Sequence, residues 1–248
     1  MMRQPYFSFT GGTLAAILFL AAMFFLFVFL PVSIVTEAFG RLGLTPGQGI
    51  LIFIAILLGR TVNIPVYTSE RLVMVPRMPT FQLRMNEFGQ PRFDQEPANE
   101  LRKQMFAVNL GGMVMPLLLS LSFVLKLHLS GETGTSLVAM GGWIGFAAVL
   151  VAGGCFAVSR PDPLTGFRVP LVVPALITLL TVAVFVPEPL RPVTAYVAGT
   201  MGTLLGGNVI PLLMPGRRNS LVAPIVSIGG AGTFGGVFVA GILAVILA

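Results

Sequence analysis

Few side chains in this 248-residue sequence can do acid, base or nucleophilic chemistry, and their positions argue against it. Both aspartates, Asp94 and Asp162, lie in polar connections, and the last acid of any kind is Glu188. The single histidine, His128, sits at the edge of an apolar run beside Lys126 and Glu132, and the single cysteine, Cys155, sits inside another. A zinc site needs several Cys, His or carboxylate ligands, and one thiol forms no internal disulfide. Neither a metal centre, a Cys–His pair nor a serine triad can therefore be assembled, and no GxxxxGK loop is present to cradle phosphate. The remaining candidates are uncharged. Asn63, Asn109, Asn208, Ser227 and Thr233 stand in apolar surroundings, with Gly229 and Gly232 in the run SIGGAGTFGG. Amides, hydroxyls and exposed backbone can recognise a small polar solute or an ion without ionising. These seven residues are the expected binding site, with no catalytic residue, no metal and no cofactor.

The stretch from Gly199 to Gly236 holds most of that site. Each glycine disfavours helix by about 1 kcal/mol relative to alanine, so the run cannot hold a straight helix. Irregular backbone survives at membrane depth only inside protein or beside water, and broken segments commonly carry a transporter's site. Close packing is the competing explanation, because Gly202-xxx-Gly206 and Gly232-xxx-Gly236 both fit the small-xxx-small pattern.

The elements that must position these residues are membrane spans. Hydrophobic residues make up 55% of the chain and charged ones only 10%, outside the range of soluble domains. Spans of about 20 apolar residues are expected at Thr13–Val35, Pro46 to about Ile64, Met105–Leu125, Ser136–Val158, Val169–Val186 and Thr194–Met214. A seventh, interrupted by the glycines, runs to Ala248. The expected fold is thus an all-α integral membrane protein with about seven transmembrane segments, the last one broken, forming one membrane domain over residues 1–248. The first span lacks a small-x-small cleavage site and is longer than a signal-peptide core, so it is expected to be retained. Thr45-Pro46 reads as an N-cap followed by proline at the first helical position. Arg60 falls inside the second span and is expected to snorkel to the nearer surface. Gly141-xxx-Gly145 marks the fourth span for packing.

Residues 68–104 are the only long polar segment. Phe81, Leu83 and Met85 alternate with polar residues, and Phe88-Gly89-Gln90-Pro91 supplies a turn, which predicts a small β-hairpin. With seven crossings, eleven of the fifteen Lys and Arg residues fall on the amino-terminal side and three on the other, Arg60 lying within a span. The positive-inside rule then makes the amino terminus and the 68–104 loop cytoplasmic in a multi-pass plasma-membrane protein. The net charge of +6 is accounted for by topology. No basic run or aromatic motif suggests nucleic acid, so the expected partners are membrane lipids and a small solute or ion.

RTVNIPVY (60–67), AVNLGGMVMP (107–116), VSRPDP (158–163), VPLVVPAL (169–176), AYVAGTMGTLLGGN (195–208) and SIGGAGTFGGVFVAGILAVILA (227–248) occur in this order. In them the chain resembles the prokaryotic membrane family described as domain of unknown function 1614. The resemblance implies fold and location and carries no assigned activity. It also implies aspartates where this chain has Asn208 and Gly235, which in a full pair would suggest a shared-proton carboxylate site, with Pro174-Ala175-Leu176 as a PAL motif. Here both carboxylates are missing. The functional readings are therefore binding or translocation of a small solute or ion, an inactive relative of an intramembrane aspartic-protease-like enzyme that binds a helix or lipid, or a structural assembly protein.

Overall fold

The computed structural model describes residues 12–76, 81–85, 91–95, 99–131, 134–162 and 165–248. It is mostly helical. Four helices are long and apolar enough to cross a membrane: α1 (Gly12–Arg41), α3 (Leu110–Ser130), α4 (Leu137–Val158) and α6 (Glu188–Leu213). Three shorter apolar helices join them: α2 (Pro46–Gly59), α5 (Val173–Phe185) and α8 (Phe234–Leu247). A five-residue helix, α7 (Pro215–Asn219), lies on the connection after α6. Large apolar residues such as Leu14, Phe27 and Leu117 are exposed on the outside of the bundle, as lipid-facing surfaces require.

Proline shapes three of the four long helices in the same way. Each of α1, α3 and α6 contains one widened π-turn, at Phe25–Phe29, Leu110–Val114 and Leu205–Val209. Each turn stops two residues before a proline: Pro31, Pro116 and Pro211. Proline has no N–H, and its ring collides with the carbonyl four residues back, here Phe27, Gly112 and Gly207. Widening that turn relieves the collision, with i→i−5 bonds such as Met115 N–H to Leu110 O and Ile210 N–H to Leu205 O.

Helix α6 is the centre of the bundle. Ala195, Ala198, Gly199, Gly202 and Thr203 are all buried, and their small size lets α4 and α8 approach its backbone. At one end Phe39, Phe123 and Tyr196 form an aromatic cluster, with Phe123 and Tyr196 edge to face at 5.1 Å. The expected cap of α2 is present. Thr45 Oγ1 accepts from Gln48 N–H, and Gln48 Oε1 accepts from Thr45 N–H at 2.9 Å.

Strands interrupt the expected all-helical picture. The polar insertion is a long antiparallel ribbon of β1 (Asn63–Pro76) and β4 (Asn99–Asn109), paired from Asn63↔Asn109 to Pro76↔Asn99 with register shifts between Pro65 and Tyr67 and between Thr68 and Leu72. A second hairpin, β2 (Phe81–Met85) with β3 (Pro91–Gln95), matches the alternation read at 81–85; residues 86–90 of its expected turn lie outside the described residues. The ribbon begins and ends inside two stretches expected to be helix. The second apolar helix stops at Gly59 rather than near Ile64, and the third starts at Leu110 rather than Met105. Backbone pairing claims Met105–Val108 on both sides, because β7 (Ile225–Ile228) adds to β4 in parallel, Met105↔Ile225 to Val108↔Ile228. A short ribbon of β5 (Arg160–Asp162) and β6 (Gly166–Arg168) closes the same end of the bundle.

Candidate functional site: the turn between β7 and α8

The glycine-rich run forms a tight turn between β7 and α8, and two of the proline-widened turns flank it. On the α3 side, Gly229 takes φ +73° and presses on Gly112: a Cβ at 229 would stand 2.6 Å from the Gly112 carbonyl carbon. Only glycine combines that left-handed φ with so close an approach. On the α6 side, Thr233 Oγ1 donates to Asn208 Oδ1 at 3.4 Å. The turn is also tied to β6, because Val169 N–H donates to Gly232 O at 3.2 Å and a Cβ at 232 would meet Phe167 O at 2.2 Å.

The seven expected site residues fall into two groups about this turn. Asn63, Asn109 and Ser227 form the first, at the last rung of the ribbon. Asn109 caps α3 by accepting from Gly112 N–H at 2.8 Å. Its amide donates to Arg60 O at 2.7 Å, Asn63 Oδ1 at 3.0 Å and Val62 O at 3.3 Å. Ser227 Oγ donates to the same Asn63 Oδ1 at 2.6 Å. Three separate chain segments are locked here by satisfied hydrogen bonds.

Asn208, Thr233, Gly229 and Gly232 form the second group. Asn208 is 2% exposed, lies within the π-turn of α6, and its Nδ2 has no partner. Turning the amide over only changes which of its polar atoms is left over. Thr165 Oγ1, close to where a Cβ at Gly232 would stand, is also buried and unpaired. Buried polar atoms without partners are rare enough to require a reason. A crevice on the α3 side of the turn, bounded by Gly112, Pro116 and Phe234 and not lined by Asn208 or Thr165, is apolar and about 10 Å³, room for one water at most.

Arg60 follows the last residue of α2, where that helix ends early. It is exposed, and its guanidinium lies 5.1 Å from the centre of the Phe234 ring, a cation–π contact at the start of α8. Two participants escaped the sequence reading. Ser159 Oγ donates at 3.0 Å to Gly207 O, the carbonyl that Pro211 releases from the helix. Arg217 donates to Phe156 O and Ser159 O while stacking 4.1 Å over Phe156. A proline four residues beyond Gly207 was the one available signal for the first.

The two positions at which the resemblance implies carboxylates, 208 and 235, can be placed as well. Position 235 lies at the first turn of α8, and a Cβ there would meet Leu171 Cδ1 at 2.6 Å. Pro174, at the start of the PAL sequence, packs near Gly236. Among the described residues no three His, Cys, Asp or Glu side chains gather into a metal-binding group. No curated protein and no solved structure shows significant similarity to the chain. A family model described as protein of unknown function (DUF1614) matches residues 57–247, and the chain belongs to that family.

Proposed function

We propose that this protein is a non-enzymatic, multi-pass protein of the plasma membrane, with its amino terminus and the β1–β4 ribbon in the cytoplasm. It binds a small polar solute or ion at the turn between β7 and α8, the break in its seventh membrane segment. The observation that carries this reading is the buried amide of Asn208, which keeps one polar atom free where every polar atom of the Asn109 amide is used. A ligand or ordered water that completes Asn208 accounts for that difference.

The reading is tested by Asn208→Leu in a strain lacking the native gene, scored for complementation and for melting temperature of the purified protein. Loss of complementation with a level melting temperature supports a binding site. Full complementation, or stability and function falling together, refutes it.

The tight backbone contacts of Gly229 and Gly232 favour a second reading, a structural protein whose glycines serve packing. The inactive-hydrolase reading is served by the proximity of Pro174 to Gly236, but the chain has no carboxylate after Glu188. No aspartic-type peptidase activity is expected of it. Cleavage of a membrane-helix substrate by the unaltered protein would reverse that expectation, and cleavage only by the Asn208→Asp/Gly235→Asp variant would identify it as a degenerate enzyme.

A further inference from the structure

We infer that the β5–β6 ribbon is a binding site for the phosphate of an anionic glycerophospholipid, held between Arg160 and Arg168. The two arginines are direct cross-strand partners in an antiparallel pair, which sets their Cβ atoms about 4.5–5.5 Å apart. Like charges placed so are destabilising. Neither guanidinium has an ion pair or hydrogen bond among the described residues, and both side chains are exposed. No nearby carboxylate forms an ion pair with either arginine among the described residues. Asp162, on the same face of the ribbon, accepts from Thr165 N–H at 3.0 Å, and Arg217 is spent on Phe156 O and Ser159 O. Two opposed forks are thus exposed with no ion-pair partner among the described residues.

Their surroundings specify the kind of anion. Arg160 and Arg168 border a cavity of about 480 Å³ whose other walls are Ala157, Val158 and Pro170. Helix α4, long and apolar enough to cross a membrane, ends at Val158, two residues before Arg160. On the proposed reading that α4 spans the bilayer, on which this inference rests, the guanidinium groups stand at the level of lipid phosphates and the apolar wall at the level of the first acyl carbons. Beyond Pro170, Leu171, Val172 and Leu176 are exposed, continuing an apolar surface down α5. A soluble anion would use the two forks and leave this surface idle, whereas a phospholipid uses both. Arginine suits the role because its planar fork matches phosphate oxygens two at a time, and basic pockets beside membrane helices are recognised headgroup sites.

The test uses the full-length protein, delipidated in a non-ionic detergent, titrated with phosphatidylglycerol and followed by native mass spectrometry. Arg160→Gln/Arg168→Gln should weaken retention of phosphatidylglycerol by about tenfold or more, two charge-assisted contacts being lost. The control Arg102→Gln should leave it unchanged. Phosphatidylcholine, whose choline cation offsets the same phosphate, should bind more weakly than phosphatidylglycerol to the unaltered protein and lose less on the double substitution. Ala157→Trp, which fills the apolar wall and keeps both arginines, should also weaken phosphatidylglycerol, and it decides the matter if the glutamine pair unfolds. Undiminished binding by the double variant and by Ala157→Trp overturns the proposal. Displacement of the lipid by millimolar inorganic phosphate, with no dependence on acyl chains, overturns the lipid and leaves a site for a soluble anion.

Discussion

Asn109 and Asn208 bring the same side chain to the same end of the bundle and are used in opposite ways. Asn109 spends both donors and its acceptor on four partners, holding the start of α3 to the end of α2. Asn208 makes one long hydrogen bond and leaves its other polar atom buried and bare. Removing a satisfied buried group strands its partners at roughly 1–3 kcal/mol each, whereas removing an unsatisfied one relieves a cost already present. Asn109→Leu should therefore lower the detergent melting temperature markedly, and Asn208→Leu should leave it level or raise it. Unfolding followed through the single Trp143 measures both. Equal losses for the two variants would show that Asn208 is as structural as Asn109, and its claim to be a site would go.

The elements show why parts of this arrangement were readable and parts were not. The α2 cap at Thr45 and the strand alternation at 81–85 are local patterns, written in adjacent residues, and both appear in the structure. The third apolar helix starts later than expected because Met105–Val108, as apolar as a helix continuing from it, is a strand. What makes it a strand is its pairing with β1 on one side and β7 on the other, the latter more than a hundred residues away. Asn63, Asn109 and Ser227 could each be picked out as polar residues in apolar sequence, but only that sheet brings them together. Glycine spacing was an uneven guide. Gly202 and Gly206 lie against α4 as their spacing suggests, while Gly141 and Gly145, spaced identically, have nothing within 4 Å of a would-be Cβ. This contrast is testable within one protein. Gly229→Ala incurs left-handed strain of about 1–2 kcal/mol and overpacking of about 1–3 kcal/mol against Gly112. Gly141→Ala meets open space and gains helix propensity, up to about 1 kcal/mol. Melting temperature should fall for the first and hold or rise for the second. A fall at Gly141 comparable to that at Gly229 would mean that another surface covers α4.

At the scale of the whole molecule, the polar features collect at one end of the bundle. The ribbon β1–β4, the β5–β6 hairpin, the Asn63–Asn109–Ser227 lock and the π-turn holding Asn208 lie there, beyond or near the ends of α2, α3, α4 and α6. Lys126 and Gly43, joined by a hydrogen bond, mark the other end. The strand-bearing end holds Arg71, Arg102, Arg160, Arg168, Arg217 and Arg218, and the other end holds Arg41, Lys126 and Arg191, the unequal grouping of lysine and arginine from which the expected orientation is read. If that distribution sets the orientation, the strand-bearing end faces the cytoplasm, and a thiol on each end should report opposite sides of the membrane. The buried Cys155 is first replaced by alanine, so that any label reports the new thiol alone. Thr68→Cys places a thiol at an exposed position of β1, and Ser130→Cys places a nearly isosteric one at the exposed end of α3. An impermeant maleimide applied to intact cells should label the thiol at 130 and miss the thiol at 68, and permeabilised cells should label both. The reverse pattern would invert the molecule and put the ribbon, Arg160 and Arg168 outside. Labelling of both positions in intact cells would mean that the two ends share one side, so that the bundle does not cross the membrane as proposed.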